Sequence, residues 1–368
     1  MKKPIEISLC MIVKNEEKNL ENCMNSFAGV FDEINIVDTG SADRTIEIAK
    51  KYTDRIFHFE WIHDFAAARN FSFSKATKEY VMWLDADDII LGENKEKLLR
   101  LKKSITHNID YVVMPYNCTH DENGNPLLVT KRERIVKRAR NFQWCDTVHE
   151  YMPVDGNSFY AEIPIKHNHK VDKGVHDIKM ARNFDILKKK LAKCGALSSK
   201  DMYYYAASLC DLEKYEEAII WFKKFLDEFS ENGYPRVTTY TTLHKCYTAL
   251  GDYENAARCM LEVEPIYSDM SEFHCCLGDF FKDTVKDYET AIKYYNKATA
   301  CAVPVAKDFI YMEFYYSIPY KSLGKAYLDL KDYKKSLFNY KEALKYSTKD
   351  EETSELVMKL EKLTALLY

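Results

Sequence analysis

Three carboxylates, Asp85, Asp87 and Asp88, fall within four residues directly after the apolar run Tyr80-Val81-Met82-Trp83-Leu84. Acids this crowded repel one another unless a cation lies between them. Hard oxygen donors of this kind suit Mg²⁺ or Mn²⁺, ions that commonly hold substrate phosphates as well. The unbroken apolar run reads as a strand buried on both faces, as in a parallel sheet. The acids would then stand at its carboxyl end, where open α/β sheets bind ligands. The stretch alone also fits a strand followed by an acidic turn or a helix cap, so the elements around it must decide.

Those elements alternate. A strand over residues 5–13 ends in Lys14-Asn15-Glu16, and a helical pattern follows through Leu20, Cys23, Met24 and Phe27. A second strand, 33–37, ends in Asp38-Thr39-Gly40-Ser41 before a helix over 46–52. A short strand at 55–59 precedes a helical 65–76 and then the opening stretch. Strand–helix alternation predicts a parallel sheet built from right-handed βαβ units. Three strand ends then carry polar groups: Asn15 with Glu16, Asp38, and the acidic cluster. Such a rim suits a nucleotide, because a carboxylate accepts from a base N–H or a ribose hydroxyl while metal and Arg neutralise phosphates. Singly, Asp38 could only shape its turn, and Asn15 could only cap a helix.

Further strands are expected at 110–116 and 127–138, with a turn at Asn123-Gly124-Asn125-Pro126 between them. Lys131, Arg132, Arg134, Lys137, Arg138 and Arg140 make the second of these basic. Arg134 or Arg138 is the expected contact for a departing diphosphate; a solvated edge strand is the plainer reading. Glu150 can serve as a general base if it is well placed. Trp144, just before it, could face a sugar ring or simply fill core. His167 and His169 are two apart on an extended segment and so point the same way, towards any metal held beside the acids.

The chain has 368 residues, which predicts two domains, and a 46% apolar fraction ample for packed cores. A net charge of −4 gives no reason to expect nucleic acid or an anionic membrane as partner. Eleven Cys, an odd number with no CxxC pair, suggest free thiols in a reducing compartment. No signal peptide and no membrane span is expected, so the reading is a cytoplasmic, soluble protein.

The run Ile7-Ser8-Leu9-Cys10-Met11-Ile12-Val13-Lys14-Asn15-Glu16, the Val37-Asp38-Thr39-Gly40-Ser41 turn, Ala68-Arg69-Asn70, Leu84-Asp85-Ala86-Asp87 and Val148-His149-Glu150 occur in that order. Together they resemble family 2 glycosyltransferases with the nucleotide-sugar (GT-A, Rossmann-like) fold. The likeness is to the bacterial subgroup with a tetratricopeptide tail, which includes enzymes that glucosylate bacteriocin peptides on Cys or Ser. The resemblance implies that Glu16 and Asp38 contact the uracil or ribose of a UDP-sugar and that Arg69 lies near the diphosphate or Asp85. It implies that Asp87 binds the metal, that Asp85 contacts ribose or sugar, and that Glu150 is the base. The family pattern His-x-Gly-Tyr is met only in part: His167 matches its His, while His169 and Lys170 replace the Gly and Tyr. That departure touches the loop over the donor, and with it the choice of sugar. Asp88 has no counterpart and no assigned role.

Beyond a helical stretch from Val175 to Cys194, which carries Arg182-Asn183 as in the family, the chain repeats itself. Tyr215, Tyr253, Tyr288 and Tyr333 open four similar helices at spacings of 38, 35 and 45 residues, against about 34 for tetratricopeptide repeats. Stacked helix pairs predict an all-α solenoid. The expected division is a glycosyltransferase domain over 1–175, a linking helix over 176–198, repeats over 199–350 and a capping helix over 351–368 that could also support a homodimer. The leading expectation is a metal-dependent inverting transferase moving a sugar from a UDP-sugar to a peptide or protein acceptor presented by the repeats. A glycan acceptor is one alternative. Another is a non-catalytic nucleotide-sugar sensor on a repeat scaffold.

Overall fold

The computed structural model describes residues 4–121, 123–168, 173–229, 234–304, 309–346 and 350–367. The chain divides into two compact units, one of Met1–Thr119 and Val129–Ala196, the other of His120–Leu128 and Leu197–Tyr368.

The first unit is α/β. Its strands in chain order are β1 (Ile7–Val13), β2 (Glu33–Asp38), β3 (Ile56–His58), β4 (Tyr80–Trp83), β5 (Asp88–Ile89), β6 (Tyr111–His120), β7 (Pro126–Lys137), β8 (Ser158–Tyr160) and β9 (Ile165–His167). They lie in one sheet in the order β3-β2-β1-β4-β7-β6-β9-β5, with β8 beside β6. The pairs β1–β2, β2–β3 and β1–β4 are parallel, as the alternating sequence pattern requires. Tyr80, Met82 and Leu84 enter one core with Ile7, Leu9 and Met11, while Val81 and Trp83 enter another with Cys10 and Val136. β4 is apolar without a break because both its faces are covered.

The sheet is not wholly parallel, however. β7 runs antiparallel to β4, with Tyr80 opposite Lys137 and Met82 opposite Ile135. β6 and β7 are joined by a tight turn, where Asp121 Oδ1 accepts from the N–H groups of Asn123 and Asn125, each at 2.8 Å. A turn that short reverses the chain; only a crossover would keep it parallel.

Helices α1 (Leu20–Ser26), α2 (Thr45–Ala49), α3 (Phe65–Phe73), α4 (Gly92–Ser104) and α5 (Lys173–Cys194) complete the unit. Asp64 caps α3 by accepting from Ala67 N–H at 2.9 Å. The expected linking helix is α5, and it belongs to the first unit.

The second unit is helical: α6 (Ser199–Asp211), α7 (Tyr215–Glu228), α8 (Tyr234–Ala249), α9 (Tyr253–Tyr267), α10 (Ser271–Asp279), α11 (Tyr288–Ala300), α12 (Ile318–Asp329), α13 (Tyr333–Leu344) and α14 (Glu351–Leu367). Each repeated Tyr opens the second helix of a pair. Two residues before it the backbone turns left-handed, at Glu213, Gly251, Lys286 and Lys331. The intervening Asp252, Asp287 and Asp332 each cap the helix that follows, a bond typically worth about 1 kcal/mol. Gly278 and Gly324 face the rings of Tyr295 and Tyr340 across their helix pairs. No helix among the described residues is long and apolar enough to cross a membrane.

Candidate active site

The parallel pairing decides which strand ends meet. Val13 pairs with Asp38 and Cys10 with Trp83, so β1, β2 and β4 end on one edge of the sheet. A cleft of about 320 Å³ opens there, and its lining includes Glu16, Thr39, Asp85, Asp87 and His167 together with Arg69, Glu150, Lys179, Arg182 and Asn183. Trp61 and Phe65, rings 4.7 Å apart, are also part of its wall.

Arg69 ties the cleft together. Its Nη2 donates to Asp85 Oδ1 at 2.9 Å and its Nε to Glu150 Oε1 at 2.7 Å. The guanidinium lies 5.0 Å from the Trp83 ring and 4.9 Å from the Trp144 ring. Burial opposes the charge on Arg69, but the two carboxylates outweigh it and hold its pKa up. Burial would likewise raise Asp85; Arg69 and Arg134 hold it below the usual carboxylate range. Glu16 is pushed up, by burial first and then by the nearby charges of Asp87 and Asp85 against the bond from Asn19.

Glu150 owes its place to α3. Asn70 brackets Trp144, donating to its carbonyl at 2.9 Å and accepting its N–H at 2.8 Å. Phe65 N–H bonds the Thr147 carbonyl at 2.9 Å, and Cys145 and Tyr151 exchange backbone bonds across the loop. Asp146 and His149 take left-handed backbone, with φ of 69° and 54°. Trp144 is a core residue, packed edge-on against Trp83 and Phe73.

Around the acids, Asp87, Asp88 and His167 each offer a donor atom within 4.8 Å of the others. Oxygen and imidazole donors so arranged fit Mn²⁺ or Mg²⁺. Asp88 is the poorest of the three: it is fully buried, Oδ1 accepts from the Tyr116 hydroxyl at 2.8 Å, and Oδ2 accepts from Arg134 Nη1 at 2.9 Å. Asp87 and His167, with Asp87 Oδ1 3.3 Å from His167 Nδ1, are the two that line the cleft. Burial works against a charged His167, but its bonds to Asp87 and Asp88 win and push it up to about 10. His169 lies outside the described residues.

Two expected contacts, Arg134 and Arg138, sit elsewhere. Arg134 is wholly buried against Asp88, so the expectation that it meets the diphosphate is corrected. β7 is antiparallel to β4, which sets Arg134 beside Trp83 and aims it into the acid cluster from behind. Arg138 bonds the backbone of Lys78 and Glu79, at the opposite end of β4 from the acids. Asn15 and Asp38 shape the rim: Asn15 Oδ1 accepts from Ala42 N–H at 2.8 Å, and Asp38 accepts from Gly40 and Ser41 N–H at 3.2 and 3.0 Å. Thr39, next to Asp38, lines the cleft itself. The sequence reading missed Tyr116, Trp61 and Lys179. Nothing in their local pattern marks them, because each acts through register or through a helix face.

Comparison with known proteins agrees with this architecture. Residues 8–156 match the model for glycosyl transferase family 2, and residues 320–350 match that for the tetratricopeptide repeat. The chain is 29% identical over 234 residues to the SPbeta prophage-derived glycosyltransferase SunS of Bacillus subtilis, spanning 61% of this chain and 54% of that relative. An uncharacterized glycosyltransferase of Rickettsia typhi is 30% identical over 105 residues, or 28% of this chain and 35% of the relative. A TPR repeat-containing protein of Synechococcus elongatus is 41% identical over 88 residues, or 24% of this chain and 22% of the relative.

Proposed function

Because residues 8–156 are a glycosyl transferase family 2 domain, we propose that this cleft moves a sugar, with inversion, from a UDP-sugar to an acceptor. We propose further that the acceptor is a peptide or protein side chain and that the tetratricopeptide repeats bind it. The observation that carries the reading is the joining of Asp85, Arg69 and Glu150, from three separate stretches, in one cleft at the ends of parallel strands.

Each residue has a task in this reading. Glu16, with the Asp38 turn beside it, accepts from the uracil N–H or the ribose hydroxyls. Asp85, held by Arg69, orients the ribose or the donor sugar. Asp87 and His167 would hold Mn²⁺ or Mg²⁺, which when bound offsets the charge of the departing diphosphate. Lys179 and Arg182 add positive charge to the same cleft, the part expected of Arg134. Arg69 fixes Glu150 Oε1, so Oε2 is the oxygen offered to the acceptor. The acceptor oxygen or sulfur bonds to the anomeric carbon, its proton passes to Glu150, and the sugar–phosphate bond breaks to leave UDP.

The test is intact-mass analysis of candidate peptides and glycans incubated with the full chain, Mn²⁺ and several UDP-sugars, with UDP release measured in parallel. Transfer to a peptide is expected, and Glu150→Gln should cut it by about 10²–10⁴-fold. Transfer confined to glycans would move the acceptor assignment, and UDP-sugar binding without turnover would favour the sensor. Undiminished turnover in EDTA, or in Asp87→Ala, would remove the metal from the mechanism.

A further inference from the structure

Asp88 is not among the residues that line the cleft, yet it bonds one of them, Asp85, and reaches another, His167, through Tyr116. Its Oδ2 accepts from the Asp85 backbone N–H at 3.0 Å and from Arg134 Nη1 at 2.9 Å. Its Oδ1 accepts from the Tyr116 hydroxyl at 2.8 Å. Arg134 is clamped between two rings, 3.9 Å from the Trp83 centroid and 4.3 Å from that of Tyr116. The Tyr116 oxygen also lies 2.8 Å from His167 Nδ1. The strands impose this meeting: Asp88 and His167 are opposite each other in the β5–β9 pair, and Tyr116 is opposite Ile165 in β6–β9.

The protons sort themselves by elimination. A carboxylate paired with a guanidinium accepts and does not donate, so Tyr116 commits its single hydroxyl proton to Asp88. Towards His167 the phenol oxygen can then only accept, and Nδ1 must carry a proton. The Asp87 carboxylate, 3.3 Å from the same nitrogen, demands the same. Nδ1 keeps that proton, so Nε2 is the nitrogen that gives up its proton when a cation binds. We propose that Arg134, Asp88 and Tyr116 are positioning residues that fix the ring and the tautomer of His167, leaving Nε2 as the nitrogen that binds a divalent cation. This rests on the assignment of the metal to Asp87 and His167 above. Arg134 and Asp88 make the arrangement stiff: a buried ion pair stacked between two rings holds the Tyr116 ring, and the ring sets its hydroxyl.

A direct-ligand role for Asp88 has the opposite consequence. Removing the Tyr116 hydroxyl would free Asp88 Oδ1 and leave metal binding unchanged or stronger, whereas a positioning role makes it weaker. The experiment is calorimetric titration of the full chain with Mn²⁺ alone, for wild type, Tyr116→Phe, His167→Ala and the double variant. Phe keeps the ring over Arg134, so packing is retained, and a thermal melt checks it. Tyr116→Phe should weaken Mn²⁺ binding roughly 10–100-fold, as loss of the group that orients a ligating His does elsewhere. The effect should vanish in the His167→Ala background, because Tyr116 acts through that ring. Unchanged or tighter binding in Tyr116→Phe overturns the inference, and so does an equal loss with and without His167. A wild-type chain with no Mn²⁺ affinity would overturn the metal assignment too, whereas wild-type affinity with a silent Tyr116→Phe overturns this inference alone.

Discussion

Arg69→Lys asks a single ammonium to do the work of a fork. Two different nitrogens of Arg69 hold Glu150 at 2.7 Å and Asp85 at 2.9 Å while the guanidinium plane lies against two Trp rings. The three donors of lysine radiate from one atom, which cannot span both acids and has no plane to stack. One carboxylate would be left without its cation in a site where the Glu150 side chain is only 14% exposed. Breaking a buried pair by removing one partner costs about 3–5 kcal/mol, and the low end applies because lysine still reaches one acid. In a unit of this size each kcal/mol is worth about 2–4 °C, so the melting transition of the first unit should fall by roughly 6–12 °C. Differential scanning calorimetry of the full chain reads that shift, and the transition of the repeats should stay where it is. In the proposed mechanism turnover, measured as UDP release, should fall about 100-fold, the usual result of displacing a reacting group by an ångström. A variant that melts and turns over like wild type would refute the claim that this bridge sets Glu150.

Three further outcomes follow from other parts of the chain. A Cβ at Gly278 would overlap the ring of Tyr295, which is buried and donates to Asp279 at 2.6 Å. Gly278→Ala should therefore destabilise the repeats by about 1–3 kcal/mol in a urea melt without changing nucleotide binding. Gly324→Ala, whose Cβ would come within 2.9 Å of Tyr340, should do the same to a lesser degree. The third outcome concerns acid stability and Glu33. Burial works against its charge, but bonds from Thr77, Asn35 and Ser8 hold it at about 2, below its ordinary 4.5. A depressed carboxylate adds stability that is complete above the ordinary value and is lost as pH falls from 4.5 towards 2. The contribution is at most about 3 kcal/mol, so Glu33→Gln should flatten the acid limb of the stability curve in that window while lowering the plateau at neutral pH.

Much of the fold was legible because its signals are local. β4 was readable from five apolar residues in a row, and the repeats from an Asp-Tyr dipeptide that proves to be a cap followed by the first helical residue. The acids were legible for a topological reason. Parallel strands bring every carboxyl end to one edge, so polar residues at those ends meet without any knowledge of register.

The basic run on β7 shows where that reasoning stops. Its sequence offers Arg132, Arg134 and Arg138 on one face with nothing to rank them. The ranking comes from the antiparallel pairing of β7 with β4, which fixes Lys137 opposite Tyr80 and so sets Arg134 beside Trp83. One pair further along, the same side chain would have missed Asp88. Register in such a pair is decided by which residues the two faces must bury, and Ile135 and Val136 settle it by entering the two cores on either side of the sheet. The cation expected to face the substrate was therefore turned inward by the packing of its apolar neighbours. The positive charge that lines the cleft beside Arg69 comes instead from Lys179 and Arg182 on α5, a helix whose approach to the cleft no strand-end rule could have foretold.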